Sequence, residues 1–227
     1  PHIEQGPVLE KKKIPLGIVT GIRGSFRFRD AFCKGEYLHS GATPYDYRKD
    51  SVVAVSNLVN EMNIFWKAQL KKNKDLVITF GQFFTDNEEH SFAKSSGLVN
   101  FCIDVRSNSK NTLEYTKKIL IKKIRLIEKQ TKTKFFLGKE TNSEPALMDK
   151  KLIKKFQIYS KMISMKFETM ASGAGHDASV FANHGIPSLM LFIRNKNGSH
   201  NPKEYMSIKN FEEVFKVLKG IIKDNYI

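Results

Sequence analysis

The residues of this 227-residue chain that could do chemistry gather in four polar clusters. The first is His2-Ile3-Glu4-Gln5-Gly6-Pro7, and the second is His39-Ser40-Gly41-Ala42-Thr43-Pro44. The third is Ser172-Gly173-Ala174-Gly175-His176-Asp177, a Gly-rich turn that opens a helical pattern. The fourth runs from Arg194 to Glu204 after an apolar strand pattern and contains His200. Neutral imidazole is a common metal ligand and proton carrier. An amide such as Gln5 can donate to and accept from a polar substrate, and a guanidinium such as Arg194 can grip a carboxylate with a planar fork. Taken one at a time, these side chains read as turn or surface residues. No His-x-x-x-His or Cys-x-x-Cys pair provides a metal spacing. What the clusters share is a place at segment ends, where loops present function.

The elements that must position them follow from periodicity. Residues 14–20 read as a short buried strand, and 24–39 as a longer half-exposed one in which Phe26 and Phe28 alternate with Arg27 and Arg29. Asp50 is expected to cap a helix carrying Val52, Val55, Val59, Met62 and Trp66 at helical spacing. Residues 76–80 and 98–106 read as strands. In the second, Val99, Phe101, Ile103 and Val105 share one face, and Asn100, Cys102, Asp104 and Arg106 share the other. That alternation leaves the Arg106 guanidinium free to point out of the sheet, the alternative being a surface Arg that pairs with Asp104 or with a neighbouring strand. A Lys-rich helix over 111–130 and a strand at 135–137 complete a β-α-β-β-α-β order, the split βαβ pattern of a ferredoxin-like domain. A helix near 148–165, the Gly-rich turn, a helix to about 184, a strand at 188–193, the polar loop and a last helix from about 208 follow. With the strand at 14–20, they predict an α/β sheet interrupted by the ferredoxin-like insertion.

Composition bounds the function classes. The chain is 41% hydrophobic with 17 Phe, a globular composition, and lacks any apolar run long enough to span a membrane. Residues 110–166 hold fifteen Lys and one Arg against five acidic residues, so eleven of the fifteen net positive charges fall there. These lysines recur on the polar sides of helical patterns without interleaved Arg and aromatics, and are read as solvated faces rather than a nucleic-acid surface. Cys33 and Cys102 show no redox or metal spacing and read as buried free thiols of a cytoplasmic protein.

His2-Ile3-Glu4-Gln5-Gly6-Pro7-Val8-Leu9-Glu10 resembles a signature found midway through N-carbamoyl-L-amino acid hydrolases, allantoate amidohydrolases and β-ureidopropionases. These form a branch of the dinuclear-zinc aminoacylase and carboxypeptidase superfamily. The 39–44 segment, Ile103-Asp104-Val105-Arg106, the 172–178 segment and Gly198-Ser199-His200-Asn201-Pro202-Lys203-Glu204 are similar to four more of the branch's motifs, in the same order. The resemblance implies a partial zinc-peptidase-like catalytic domain (1–22 and 139–227) carrying an inserted lid and dimerisation domain (23–138). It implies two divalent metals (Zn, Mn, Co or Ni), with His2 a terminal ligand of one and His200 of the other. Gln5, His176 and Arg194 are then substrate contacts. His39 is the catalytic histidine offered to the tetrahedral intermediate, and Arg106 the arginine that holds the substrate carboxylate. In such enzymes the lids pair as a homodimer, each offering its His and Arg to the partner's site.

The resemblance also implies what this stretch does not contain. The bridging Asp, its companion His and the adjacent Glu-Glu pair, one of which is the general base, precede the His-Ile-Glu-Gln-Gly-Pro segment in the family. The chain is therefore expected to be the C-terminal half of the enzyme, inactive in isolation. Ala93 and Ser96-Gly97, near His90, depart from the family's Asn and Pro-Gly. The expected reaction is hydrolysis of a linear C–N bond in an N-carbamoyl or ureido amino acid. The alternatives are hydrolysis of an N-acyl amino acid or peptide, and a non-catalytic dimerisation fragment.

Overall fold

A computed structural model describes residues 1–223 of the chain, so the last four residues of the segment expected to run to 227 lie outside the described residues. It divides into two compact units, 1–23 with 145–227 and 24–144. Along the chain, β1 (His2–Ile3), α1 (Val8–Lys12) and β2 (Leu16–Ile22) open the first unit. The second holds β3 (Gly24–Lys34), β4 (Leu38–His39), α2 (Ser51–Lys71), β5 (Val77–Thr79), β6 (Phe83–Thr85), β7 (Lys94–Ser95), β8 (Leu98–Ser107), α3 (Lys110–Thr131), β9 (Lys134–Phe136) and β10 (Glu140–Ser143). The chain then returns to the first unit with β11 (Ala146–Leu147), α4 (Lys150–Met162), β12 (Phe167–Ser172), α5 (Ala178–Asn183), β13 (Leu191–Ile193) and α6 (Ile208–Lys223).

In the first unit β2 is the central strand. It pairs antiparallel with β13 and β11 and parallel with β12, while β1 runs parallel to β13. Because helices cover both faces, β2 reads as a near-continuous apolar run rather than an alternating one. Leu16 and Ile18 pack with Phe156 and Tyr159 of α4 and with Val214, Val217 and Ile221 of α6. Val19 and Ile22 pack on the other side with Leu9 of α1, Met148, Met190 and Phe192. Each of these large side chains contributes about 1.5–3 kcal/mol on full burial. Gly17 lies where β2 meets β13 and β12: a Cβ there would stand 2.9 Å from Cβ of Phe192 and 3.2 Å from Sδ of Met170. β12 escaped the sequence pattern because Phe167, Glu168, Thr169, Met170 and Ala171 are neither alternating nor fully buried.

The sheet of the second unit has the order β10-β3-β8-β5, with β9 also on β3 and β6 also on β8. Val99, Phe101, Ile103 and Val105 of β8 are buried, as their alternation requires, beneath α2 and α3. Asp50 caps α2 by accepting from Val52 N (2.9 Å) and Val53 N (3.3 Å), and α3 turns Leu113, Leu120, Ile124 and Ile127 inward. Three expectations need correction. The strand expected over 24–39 stops at Lys34, because Gly35 N and Glu36 N leave the ladder for the carbonyls of Gly97 (2.7 Å) and Lys49 (2.9 Å). The unit runs to Glu144, not 138, because β10 pairs with β3 from Glu140↔Phe28 to Ser143↔Ser25. Cys102, on the polar face of β8, is only half-buried, whereas Cys33 is buried and its thiol is pushed up to about 11, first by burial.

On that polar face, Arg27 and Asp104 are register partners across β3 and β8, and the Asp104 carboxylate also takes Arg106. Burial pushes the Asp104 carboxyl up. The hydrogen bond and charge of Arg106, then the charge and hydrogen bond of Arg27, outweigh burial and hold it below its ordinary value of 3.8. A depressed carboxyl stabilises the fold above its unfolded pKa and stops doing so as pH falls through the folded one. Asp104→Asn is expected to destabilise the chain by about 1 kcal/mol near neutral pH, a modest figure because all three groups are partly solvated. The difference from wild type should close as pH falls below 3.8 in urea unfolding curves. Gly17→Ala is expected to cost about 1–3 kcal/mol in the same assay, at all pH values, because neighbours must be displaced from a packed sheet.

Candidate functional site

β1 brings the N-terminal cluster beside the loop that follows β13. His2 pairs with Phe192 and Ile3 with Ile193, and Glu4 N adds a bond to Ile193 O at 3.1 Å. Glu4 then turns inward. Its carboxylate, 8% exposed, accepts from Val8 N (2.8 Å) and Leu9 N (2.7 Å) and so satisfies the first turn of α1. Gly6 is required beneath it, since a Cβ there would lie 2.8 Å from Glu4 Oε1. With Glu4 committed to the helix, Gln5 is forced into the left-handed region, φ 62°. Its N–H donates to Asn195 Oδ1 (3.1 Å), and its amide nitrogen donates to Ser199 Oγ (3.0 Å) and reaches His200 Nε2 at 3.4 Å.

His200 is itself left-handed, φ 58°, and its N–H donates to Glu204 Oε2 at 3.1 Å. Glu204 is held below the usual carboxylate range by Ser199, by the His200 N–H and, electrostatically, by His200 and His2. His2, Ser199, His200 and Glu204 thus share one neighbourhood. His176 joins it from the Gly-rich turn: its ring stands 4.6 Å from that of His2 and 6.0 Å from Phe192, and Nε2 meets Ser172 Oγ at 2.8 Å. Burial, then the neighbouring His2, lowers its pKa against the opposing Asp177, which favours the uncharged ring. Arg194 is turned elsewhere. Its Nη2 donates to Asn210 Oδ1 of α6 (3.2 Å), and its Nε faces Glu10 Oε2 of α1 at 3.5 Å. The first unit therefore brings His2, Gln5, His176 and His200 together, while the guanidinium of Arg194 is taken up by α1 and α6.

The hydrogen-bond partners fix the imidazole tautomers. His2 Nδ1 lies 2.7 Å from the Ile3 carbonyl, so it carries the proton and Nε2 is a bare lone pair. His200 Nε2 faces an amide that can only donate, so it too is bare. Both fit the role of a terminal metal ligand by donor chemistry. Two imidazoles do not make a site, and no group of three or more His, Cys, Asp or Glu that could hold a metal occurs among the described residues.

In the second unit, His39 is exposed on β4, and its Nδ1 accepts from Gly41 N (3.2 Å) and Ala42 N (3.1 Å). Its proton must therefore sit on Nε2, the opposite tautomer to His2. Arg106 is not the free guanidinium expected from alternation. Residues two apart on one strand face lie side by side, and Arg106 Nη2 and Nε reach Asp104 at 2.7 and 3.2 Å. Sequence reasoning did not single out the supporting residues Ser172, Asn195, Ser199 and Glu204 for their own roles. Each acts through hydrogen bonds within and between loops, which leave no periodic trace.

The chain is 33% identical over 218 residues to an allantoate amidohydrolase of Escherichia coli (strain K12), covering 96% of this chain and 51% of that protein. It is 33% identical to an N-carbamoyl-L-amino-acid amidohydrolase of Pseudomonas sp. (strain NS671), covering 98% and 53%. The crystal structure of an amidase of the hydantoinase/carbamoylase family from Burkholderia multivorans superposes with a TM-score of 0.85 at 25% identity, over 95% of this chain and 51% of that one. The chain spans about half the length of the curated relatives it matches. The model of peptidase family M20/M25/M40 matches residues 1–224, nearly the whole chain, and the chain belongs to that family.

Proposed function

We propose that this chain is part of a metal-dependent amidohydrolase that cleaves a linear C–N bond in an N-carbamoyl or ureido amino acid, releasing ammonia and carbon dioxide. The observation that carries the reading is the division of tautomers: His2 and His200 present bare Nε2 atoms, and His39 presents an Nε2–H donor. Relatives named for allantoate, N-carbamoyl-L-amino acids and ureidoglycolate support the substrate class, since all three compounds carry a ureido group.

The chemistry that two bound divalent ions (Zn, Mn, Co or Ni) would supply is polarisation of the scissile carbonyl and a lowered pKa for the attacking water. His2 and His200 would each hold one of them. The remaining ligands and the carboxylate base are proposed to come from polypeptide outside these 227 residues. Gln5 orients the substrate through its amide, whose nitrogen is already aimed between Ser199 and His200. The uncharged His176 ring backs His2 without adding positive charge. His39 donates from Nε2 to the oxygen on which negative charge develops. Arg106, steered by Asp104, takes the substrate carboxylate. The 24–144 unit is proposed as a ferredoxin-like lid, which its β-α-β-β-α-β order and β10-β3-β8-β5 sheet support. Exposed Phe83 and Phe84 on edge strand β6 support pairing of two copies there. Free Cys33 and Cys102 support a cytoplasmic setting.

The test is turnover by the full-length protein of N-carbamoyl-L-amino acids and allantoate against N-acetyl-L-amino acids, with chelator and with Mn²⁺ or Zn²⁺ restored. Ureido cleavage lost on chelation is expected, and preferential cleavage of the acetyl compounds would overturn the substrate assignment. The 227-residue chain alone should bind Zn²⁺ weakly in calorimetry, and two tight sites would show that the ligand set lies within it. In the full-length enzyme, Arg106→Lys should raise KM for carboxylate substrates about tenfold, ~1.4 kcal/mol, because an ammonium cannot reproduce a fork. An unchanged KM would remove Arg106 from the binding role.

A further inference from the structure

Arg48 has no part in the chemistry above, yet it closes the loop that carries His39. Its Nε donates to the Thr43 carbonyl at 2.9 Å and its Nη2 to the Ser40 carbonyl. One planar guanidinium thus spans two carbonyls three residues apart. Between them lie Gly41 and Ala42, the two residues whose N–H groups point at His39 Nδ1 (3.2 and 3.1 Å). The loop is tied at both ends as well: Ser40 N donates to Ala93 O (2.8 Å) and Thr43 N to His39 O (3.1 Å). A 3₁₀ turn at Tyr45–Tyr47 folds the chain back so that the Arg48 side chain crosses the loop, and Asp50, two residues on, is anchored as the cap of α2.

We propose that Arg48 is a positioning residue that fixes the tautomer of His39. By holding the carbonyls of Ser40 and Thr43, it keeps the N–H groups of Gly41 and Ala42 aimed at Nδ1. An Nδ1–H would face two donors with no acceptor, so the proton stays on Nε2 for as long as the loop keeps its shape. Moving it to Nδ1 requires both peptides to rotate away; the bond to Ser40 O opposes rotation of the Ser40–Gly41 peptide directly, and the bond to Thr43 O holds closed the loop that carries the Gly41–Ala42 peptide. A lysine ammonium, with rotatable donors on one nitrogen, lacks the rigid planar fork that holds the two carbonyls at a fixed separation. The functional weight of the proposal rests on the reading of His39 as donor to the developing oxyanion, which needs Nε2–H. The tautomer itself does not depend on that reading.

Long-range imidazole ¹H–¹⁵N spectra of the labelled 227-residue chain, recorded above the ordinary histidine pKa, report each tautomer directly. Wild-type His39 is expected to show a single Nε2–H pattern. Arg48→Met is expected to show both tautomers at His39, while His2 and His184, whose Nδ1 atoms face the carbonyls of Ile3 and Val180 at 2.7 Å, keep their Nδ1–H patterns. A mixture at His39 in the wild type, or a single unchanged tautomer in the variant, would overturn the proposal. Arg48→Lys, which keeps the charge at this half-buried position, carries the same expectation and the same refutation if the methionine variant does not fold. His39→Gln in the active full-length enzyme separates the two readings: full activity there removes His39 from catalysis and leaves the tautomer result standing.

Discussion

The parallel pairing of β1 with β13, only His2↔Phe192 and Ile3↔Ile193 long, holds together two stretches nearly two hundred residues apart, and the candidate site of the first unit hangs from it. Three further bonds extend this short ladder: Glu4 N to Ile193 O, Gln5 N to Asn195 Oδ1, and the Gln5 amide to Ser199. Asn195 is 1% exposed and also donates to Gly198 O, so the loop after β13 is braced from inside before it meets the N-terminal segment. Behind the pairing stands Phe192, whose outward neighbour is His176 and whose inward neighbour is Gly17. The placement of two imidazoles is thus a consequence of how closely β2 and β13 pack.

Left-handed residues accumulate where these segments meet. Gln5, Asn197 and His200 all have φ near 60°, an uncommon conformation for residues other than glycine. Each is held by explicit partners: Asn195 and Ser199 for Gln5, the Lys203 carbonyl for Asn197, and Glu204 for His200. Strain of this kind persists where surrounding contacts over-determine it, and it clusters at functional positions. Here it turns Gln5 away from the α1 cap that Glu4 provides and toward His200.

The histidines show how one residue type is divided between opposite tasks without any change in its covalent chemistry. A carbonyl beside Nδ1 leaves Nε2 able to bind a cation, as at His2. Two peptide N–H groups beside Nδ1 leave Nε2 able to donate, as at His39. The backbone around each ring selects its role. The same logic ties Arg106 to Asp104 and Arg27: three charges share one sheet face, and the guanidinium is oriented before any ligand arrives.

Much of this was legible in the sequence where the signal is local. The alternation of Val99 to Val105, the helical spacing from Val52 to Trp66 and the Asp50 cap are properties of contiguous segments, and burial follows from them directly. The ordered motifs around His2, His39, Arg106, His176 and His200 carried the family resemblance. Signals that depend on a distant partner were not legible. β12 and β10 are strands because β2 and β3 offer them open edges, not because their own residues alternate. Arg194 alone reads as a solvated strand end, and only the arrival of Glu10 and Asn210 turns it inward. Above all, the sequence determined which residues are histidines, and the folded chain decided which nitrogen carries the proton: near neighbours at His2 and His39, a distant segment at His200. A tautomer is set by the atoms opposite the ring nitrogens, and at His200 the amide that faces Nε2 belongs to Gln5, 195 residues away.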